Sequence, residues 1–351
     1  MKTLPRPLVV LSALLIMAGA PAHADDYEFR IPLKGLVVQG AGGSLPTTPG
    51  ESAPGETTPQ PPAQESPSDG TRWEHLAVPN TFSLAFGDSR FIRGGNFGAL
   101  SISTDGRAWQ SVSHGVLAQN ISAISFGGSV FAAAAFDGIM TSPDGQTWTR
   151  RTSKLWQPHD MAYGNGVFVV VGAPLVYGGW NGGGVLSSSD GGVTWVERDS
   201  KLTAQSITIR GVAYGPSGFV VGGDNGRISR SADGATWQEV ASPFGGTQIR
   251  GVAWGNDRYV IVADGSVALS TDGSSWTRYV TNTGFTRVTF ANNVFVASAS
   301  SAGVHRLYTS PDGITWTAQH DGFGSQPVVA LTHGNGKFLA GSTSSMAITL
   351  P

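Results

Sequence analysis

Ser142-Pro143-Asp144-Gly145-Gln146-Thr147-Trp148 is one copy of a motif, Asp-Gly-x-x-Trp, that returns along the chain at nearly constant intervals. Other copies run from Asp69 to Trp73, Asp105 to Trp109, Asp233 to Trp237, Asp272 to Trp276 and Asp312 to Trp316; a copy with one extra residue runs from Asp190 to Trp195. The Asp-to-Asp steps are 36, 39, 46, 43, 39 and 40 residues. Six of the seven have Ser two residues upstream of the Asp. A period of about 40 residues means repeated supersecondary units, none of which can bury its apolar face alone.

Each interval follows one plan. An apolar stretch ends in an aromatic and a glycine, as in Val212-Ala213-Tyr214-Gly215, Val252-Ala253-Trp254-Gly255 and Met161-Ala162-Tyr163-Gly164. A second apolar run follows (Phe168-Val169-Val170-Val171), then a third that ends at Ser-x-Asp-Gly, and the Trp opens a fourth, as in Trp237-Gln238-Glu239-Val240. Four short antiparallel strands per unit make one blade of a β-propeller. A parallel β-helix has shorter rungs and no such hairpin order. After Asp312 only three strands remain, within 328–333, 337–341 and 346–350. The fourth stands alone before the first complete unit, at Trp73–Val78. The expectation is therefore an all-β, seven-bladed β-propeller of four-stranded antiparallel blades over 69–351, its last blade closed by strand 73–78.

Composition bounds the rest. The 351 residues include 49 glycines and no cysteine. Glycine supplies positive φ for many tight turns, and without cysteine the fold is held by packing alone. Residues 1–24 read as a bacterial-type signal peptide: Lys2 and Arg6, an apolar run from Leu8 to Met17, then Ala22-His23-Ala24. That implies an exported protein, periplasmic or extracellular, without a transmembrane segment after cleavage. Removing Lys2 and Arg6 moves the net charge from −2 to −4, which argues against nucleic acid as a partner. Residues 25–38 form a short strand segment, since Tyr27–Lys34 alternates apolar and polar; it could add to the sheet edge of a partner or fold against the propeller's side. Residues 39–68 are a disordered Pro/Gly/Ser/Thr linker by composition.

The repeated Ser-x-Asp-Gly-x-Thr-Trp resembles the Asp-box, also called the BNR repeat, of sialidases and many secreted propellers. The resemblance covers 69–351 and implies that each box is the turn between the third and fourth strands of a blade. There Asp can bond backbone N–H groups, Gly accepts a conformation that a Cβ disfavours, and Trp buries a large apolar body. Seven copies cannot all be catalytic, so Asp69, Asp105, Asp144, Asp190, Asp233, Asp272 and Asp312, with Trp73, Trp109, Trp148, Trp195, Trp237, Trp276 and Trp316, read as structural.

Sialidases also carry a Phe-Arg-Ile-Pro motif whose Arg helps to bind the substrate carboxylate, and Phe29-Arg30-Ile31-Pro32 matches it. Here, however, the linker separates it from every blade. Asp88 looks sialidase-like but aligns with first-hairpin turn residues, and no Tyr/Glu nucleophile pair is evident. No catalytic residue, metal site or cofactor is expected: the seven histidines are scattered, with no metal-ligand spacing, phosphate loop or nucleophile elbow.

Two departures from the repeat point to a binding face. Gly172–Gly182 is a long glycine-rich loop carrying Tyr177 and Trp180, which could stack on a sugar or a protein, or fold back. Arg210 and Arg250 hold matching places four residues before Tyr214 and Trp254; His159 holds the same place before Tyr163, and Arg287 lies nearby in the sixth unit. Clustered arginines suit carboxylate or phosphate, unless each pairs with a local acid such as Asp160 or Asp199. Lys154, Trp156 and Phe244 lie on inter-blade loops that could extend the same face. The reading is a secreted, non-catalytic propeller that binds a protein or glycan through its loop face, as an assembly or adhesion factor. Seven-bladed Asp-box proteins that assist assembly of membrane complexes look similar in repeat pattern. The alternative is a sialidase-like or other carbohydrate-active enzyme, which needs two facing carboxylates in the central pocket.

Overall fold

The computed structural model describes residues 68–351 other than 153–156, 174–183, 203–206 and 321. The expected signal peptide, the 25–38 strand and the linker up to 67 lie outside the described residues. In chain order the strands are β1 (Trp73–Leu76); β2 (Ser83–Gly87), β3 (Arg90–Gly94), β4 (Leu100–Ser103) and β5 (Gln110–Ser111); β6 (Ile121–Gly127), β7 (Val130–Ala135), β8 (Gly138–Ser142) and β9 (Thr149–Thr152); β10 (Gln157–Gly164), β11 (Val167–Ala173), β12 (Gly184–Ser188) and β13 (Val196–Asp199). They continue as β14 (Ile209–Gly215), β15 (Gly218–Gly223), β16 (Ile228–Ser231) and β17 (Gln238–Val240); β18 (Ile249–Gly255), β19 (Arg258–Ser270), β20 (Thr277–Ala291), β21 (Val294–Ser301), β22 (Val304–Ser310) and β23 (Thr317–His320); and β24 (Val328–Gly334), β25 (Lys337–Ser342) and β26 (Met346–Thr349).

All pairings are antiparallel, and the blade count corrects the expectation. The hydrogen-bonded sheets number six rather than seven: five of four strands and one of six, β18 to β23. Two long strands cause the merger. β19 runs without a break through a second and a third strand position, and β20 runs from the outside of one repeat into the inside of the next. Asp264 pairs with Gly284 at the join. The short Thr281-Asn282-Thr283-Gly284 link holds no proline to stop the ladder. Counted by sheets the molecule is a six-bladed propeller, and one blade carries two Asp-Gly-x-x-Trp turns.

The ring is closed by the earliest described strand. β1 pairs with β26 in the register Trp73 with Thr349 and Glu74 with Ile348. This strand ends at Leu76, two residues short of the expected 73–78. The Ser68 hydroxyl bonds that of Thr349 at 2.6 Å, and Arg72 O accepts the Leu350 N–H at 2.9 Å.

Neighbouring inner strands interlock through glycine. Each aromatic near the end of an inner strand lies where a Cβ would stand on the strand before it: Phe126 over Gly87, Tyr163 over Gly127, Tyr214 over Gly164, Trp254 over Gly215 and Phe290 over Gly255. Phe86 over Gly334 joins the last inner strand to the first, and the step from β20 to β24 is the exception, with Ala291 in place of glycine. Each of these rings also meets the aromatic that opens its own second strand, as Tyr163 meets Phe168 at 4.7 Å between centroids. The second strands form the core: Phe131–Ala135, Phe168–Val171 and Tyr259–Ala263 are all fully buried.

The box residues bond as a turn. In the Asp144 copy, Oδ1 accepts the N–H of Gln146 (2.8 Å) and of Thr147 (2.7 Å) and the Ser142 hydroxyl (2.9 Å), while Ser142 Oγ accepts the Gly145 N–H and Trp148 Nε1 donates to Gly145 O. The copies at Asp105, Asp272 and Asp312 repeat this set. Trp237 departs from it: it is buried, and its Nε1 has no acceptor among the described residues. Because strands alternate in direction, these turns share one end of each sheet with the first-to-second hairpins. The other end carries the second-to-third loops and the links between repeats, and is called the loop face below.

Candidate functional site

The inner strands line a central channel, and most carry a β-bulge at one place near the loop face. The bulged residues are Ser122, His159, Arg210, Arg250, Thr286 and Val329, each skipped in the register with the second strand. A bulge re-aims a side chain that regular pairing would bury in the sheet. His159, Arg210 and Arg250 are thus structurally equivalent, whereas Arg287 stands one residue further on. The residue after the bulge is Asp160 in β10, Gly211 in β14, Gly251 in β18 and Arg287 in β20. The two glycines permit close approach, since a Cβ on Gly211 would come within 2.8 Å of Val252 N.

Asp160 and Arg287 act as staples between inner strands. Asp160 Oδ1 accepts the Met161 N–H and Oδ2 accepts the Val212 N–H on the neighbouring strand, both at 2.9 Å. Arg287 Nε donates to Val329 O at 3.0 Å on one side, and its Nη1 donates to Thr286 O at 3.0 Å and to Arg250 O at 3.4 Å on the other. Burial pushes the Asp160 carboxyl up to about 6, against the pull of the Val212 N–H and of the Arg287 charge. Burial likewise lowers the Arg287 guanidinium, which the Asp160 charge partly restores. His159 is held down at about 4, by burial first and then by the Arg210 and Arg287 charges, so it is neutral near pH 7.

Arg210 and Arg250 differ in what they touch. Arg210 Nε lies 2.9 Å from Asp224 Oδ1, on the second-to-third loop of its own repeat. Asp224 also accepts Gln248 Nε2 and, at 3.2 Å, the Thr208 N–H. Burial raises its carboxyl, but the bonds from Gln248 and Arg210 outweigh this and leave it below the usual carboxylate range. Asp264 holds in the next repeat the place that Asp224 holds beside Arg210, but the Arg250 guanidinium makes no hydrogen bond or ion pair among the described residues. Asp199 pairs with Lys201 at 2.6 Å and not with these arginines.

The channel cavity is small, ≈ 80 Å³, and is lined by Ser83, Ser122, His159, Asp160, Gly251 and Arg287 among others. Asp160 is its one carboxylate among the described residues, so the facing pair that glycoside hydrolysis needs is not assembled there. A larger groove, ≈ 490 Å³, lies at the opposite end of the sheets, beside the box turns, where Trp109, Gln110, Gln146 and Arg90 line it. It has volume without convergent charge, and Trp109 and Arg90 there are already bonded to backbone carbonyls. The channel mouth is the better candidate.

Tyr177, Trp180, Lys154 and Trp156 lie outside the described residues. Phe244 is not on the face: it is 2% exposed, packs beside Ile249 and Tyr259, and has the Arg278 guanidinium 6.0 Å above its ring. Asp88 is a hairpin-turn residue with φ 45° that pairs with Arg90 at 3.0 Å. Sequence reading missed Asp224 and Gln248, although Asp224-Asn225-Gly226 is a legible turn signal. Among the described residues no group of three or more His, Cys, Asp or Glu could hold a metal, and no helix is long and apolar enough to cross a membrane.

Comparison with known proteins agrees on the architecture. Residues 207–332 match the family described as the DUF6242 beta propeller domain. No curated protein matches the chain. Among solved structures it is similar to YCF48 bound to D1 peptide, at 17% identity and a TM-score of 0.61 over 82% of this chain and 99% of that one. It is similar to YCF48 from Cyanidioschyzon merolae, at 15% identity and a TM-score of 0.58 over 80% and 99%. It is also similar to a catalytically inactive virginiamycin B lyase from Staphylococcus aureus with quinupristin, at 11% identity and a TM-score of 0.66 over 80% and 99%. At these identities the likeness establishes the propeller fold.

Proposed function

We propose that this protein is a non-catalytic binding propeller that holds a polypeptide partner at the loop-face mouth of its channel, with Arg250 receiving a carboxylate of the partner. The observation that carries the reading is the contrast between two equivalent arginines: Arg210 is neutralised by Asp224, while Arg250 makes no ion pair among the described residues. An arginine forms strong, directional bonds with a carboxylate and stays charged at every physiological pH. A related fold, YCF48, is seen with a bound peptide, which supports a polypeptide over a glycan. The leader at 1–24 supports export, and N-terminal sequencing of the mature protein tests it: a start at Met1 rejects export by cleavage.

The binding test uses random hexapeptides made with either a free C-terminal carboxylate or an amide, titrated by calorimetry. The carboxylate forms should bind at least about tenfold more tightly, equivalent to about 1.4 kcal/mol, and Arg250→Ala should erase the difference. Equal affinities of both forms for both proteins reject the reading.

A further inference from the structure

Phe97 is 86% exposed, and the loop that carries it is not slack. It sits on the second-to-third loop of the first four-stranded repeat, in a short 3-10 turn, with φ 52° and ψ 37°. That left-handed conformation is an outlier for a bulky side chain. Asn120 Oδ1 accepts the Phe97 N–H, Gly98 N donates to Gln119 O, Ala99 N to Asn96 O, and Asn96 Nδ2 to Asn80 Oδ1. The fold offers its own control. Asp224-Asn225-Gly226 makes the same turn, with Gly223 N bonded to Arg227 O as Gly95 N is to Ala99 O, and Asn225 at φ 57° in the place of Phe97. Asn tolerates this backbone and Phe does not, so the sequence keeps a locally unfavourable aromatic at a solvent-facing tip. Such outliers concentrate at functional sites.

A second exposed aromatic stands on the adjacent tip of the same face. Phe136, 41% exposed, lies at the second-to-third turn of the following repeat. The connection between those repeats ties both tips together, since Gln119 O accepts the Gly98 N–H while the Ala118 N–H donates to Asp137 Oδ2. In ring order these tips lie across the channel mouth from β18, which carries Arg250. The face therefore has an aromatic sector edged by the neutral amides Asn80, Asn96, Gln119 and Asn120 and by the paired Asp137 and Arg150, and a cationic sector.

We propose that Phe97 and Phe136 form an apolar anchor for an extended polypeptide crossing the mouth, one of whose apolar side chains packs on the two rings while its carboxylate reaches Arg250. This rests on the loop-face reading above. Uncharged amides beside the rings fit peptide main chain, and the opposite cation fixes the segment's polarity as apolar at one end and acidic at the other.

The test is an array of random nonapeptides with free C-terminal carboxylates, probed with the full chain and with Phe97→Asn, which copies the Asn225 turn and should keep or raise Tm. Peptides that bind the wild type should share an aromatic or aliphatic residue, and Phe97→Asn should weaken them at least tenfold without loss of Tm. If Phe97→Asn changes no affinity by more than twofold while Arg250→Ala abolishes binding, the anchor is rejected and the loop-face reading stands. If neither variant weakens binding, or no peptide binds, both are rejected. If the wild type instead binds phosphatidylcholine vesicles and Phe97→Asn does not, the rings are a lipid anchor and the polypeptide proposal fails.

Discussion

Asp160 and Arg287 stand at the same register position on two inner strands, the residue after the bulge, and each bonds across to a neighbouring strand. A half-buried carboxylate and a half-buried guanidinium thus do at the channel wall what side-chain packing does further out.

Asp160→Asn tests the staple. The amide keeps one acceptor, so either the Met161 or the Val212 N–H loses its partner inside the channel. Leaving such a donor unsatisfied costs about 1–3 kcal/mol. The midpoint of urea unfolding should fall with an unchanged slope, and a midpoint equal to wild type would contradict the staple.

Acid titration separates two opposing groups. His159 has its pKa lowered from 6.5 to about 4, so its contribution to stability is full above pH 6.5 and is lost as pH falls toward 4. Asp160 has its pKa raised from 3.8 to about 6, so its contribution is full below pH 3.8 and is lost as pH rises through 6. In the wild type the two largely cancel between about pH 4 and 6. His159→Gln should make Tm rise on acidification through that window, and Asp160→Asn should make it fall. Parallel Tm curves for both variants would show that neither group carries its shift.

The glycine interlock predicts a small-to-large effect. A methyl on Gly164 would overlap the Tyr214 ring of the neighbouring inner strand. Gly164→Ala should destabilise by about 1–3 kcal/mol, the usual cost of overpacking. Combining it with Tyr214→Ala should cost less than the sum of the single changes, because the overlap goes with the ring. Strict additivity in a denaturation series would refute the contact.

The box aspartates predict an effect at lower pH. Backbone N–H groups of Thr147 and Gln146 hold Asp144 at about 2, below its ordinary 3.8, so its contribution is present above pH 3.8 and lost as pH falls toward 2. Asp144→Ala should cost about 1–2 kcal/mol near neutrality, the scale of a lost cap, and should flatten the acid limb in that range. An unchanged acid limb would mean that the box is not a titrating brace.

Much of this was legible because the repeat makes its own alignment. The period placed Trp73 beside the last sheet and put Arg210, Arg250 and His159 on one register line, since equivalent positions in a propeller share an environment. The sheet count was not legible. Whether β19 and β20 hydrogen-bond through their bends depends on backbone continuity at Asp264 and Gly284, and no residue pattern there differs from an ordinary loop. The partner of Arg210 was missed because Asp224 belongs to another loop and meets it only after the bulge re-aims the arginine. Phe244 was misplaced because an aromatic on a link between repeats can as readily turn inward.

The most direct test is amide hydrogen exchange on the full chain with a tight-binding free-carboxylate peptide. Binding at the loop face predicts slowed exchange in 208–212 and 249–252, with the box turn 144–148 unchanged and the protection lost in Arg250→Ala. Protection confined to the box turns, or kept in full by Arg250→Ala, would contradict the account.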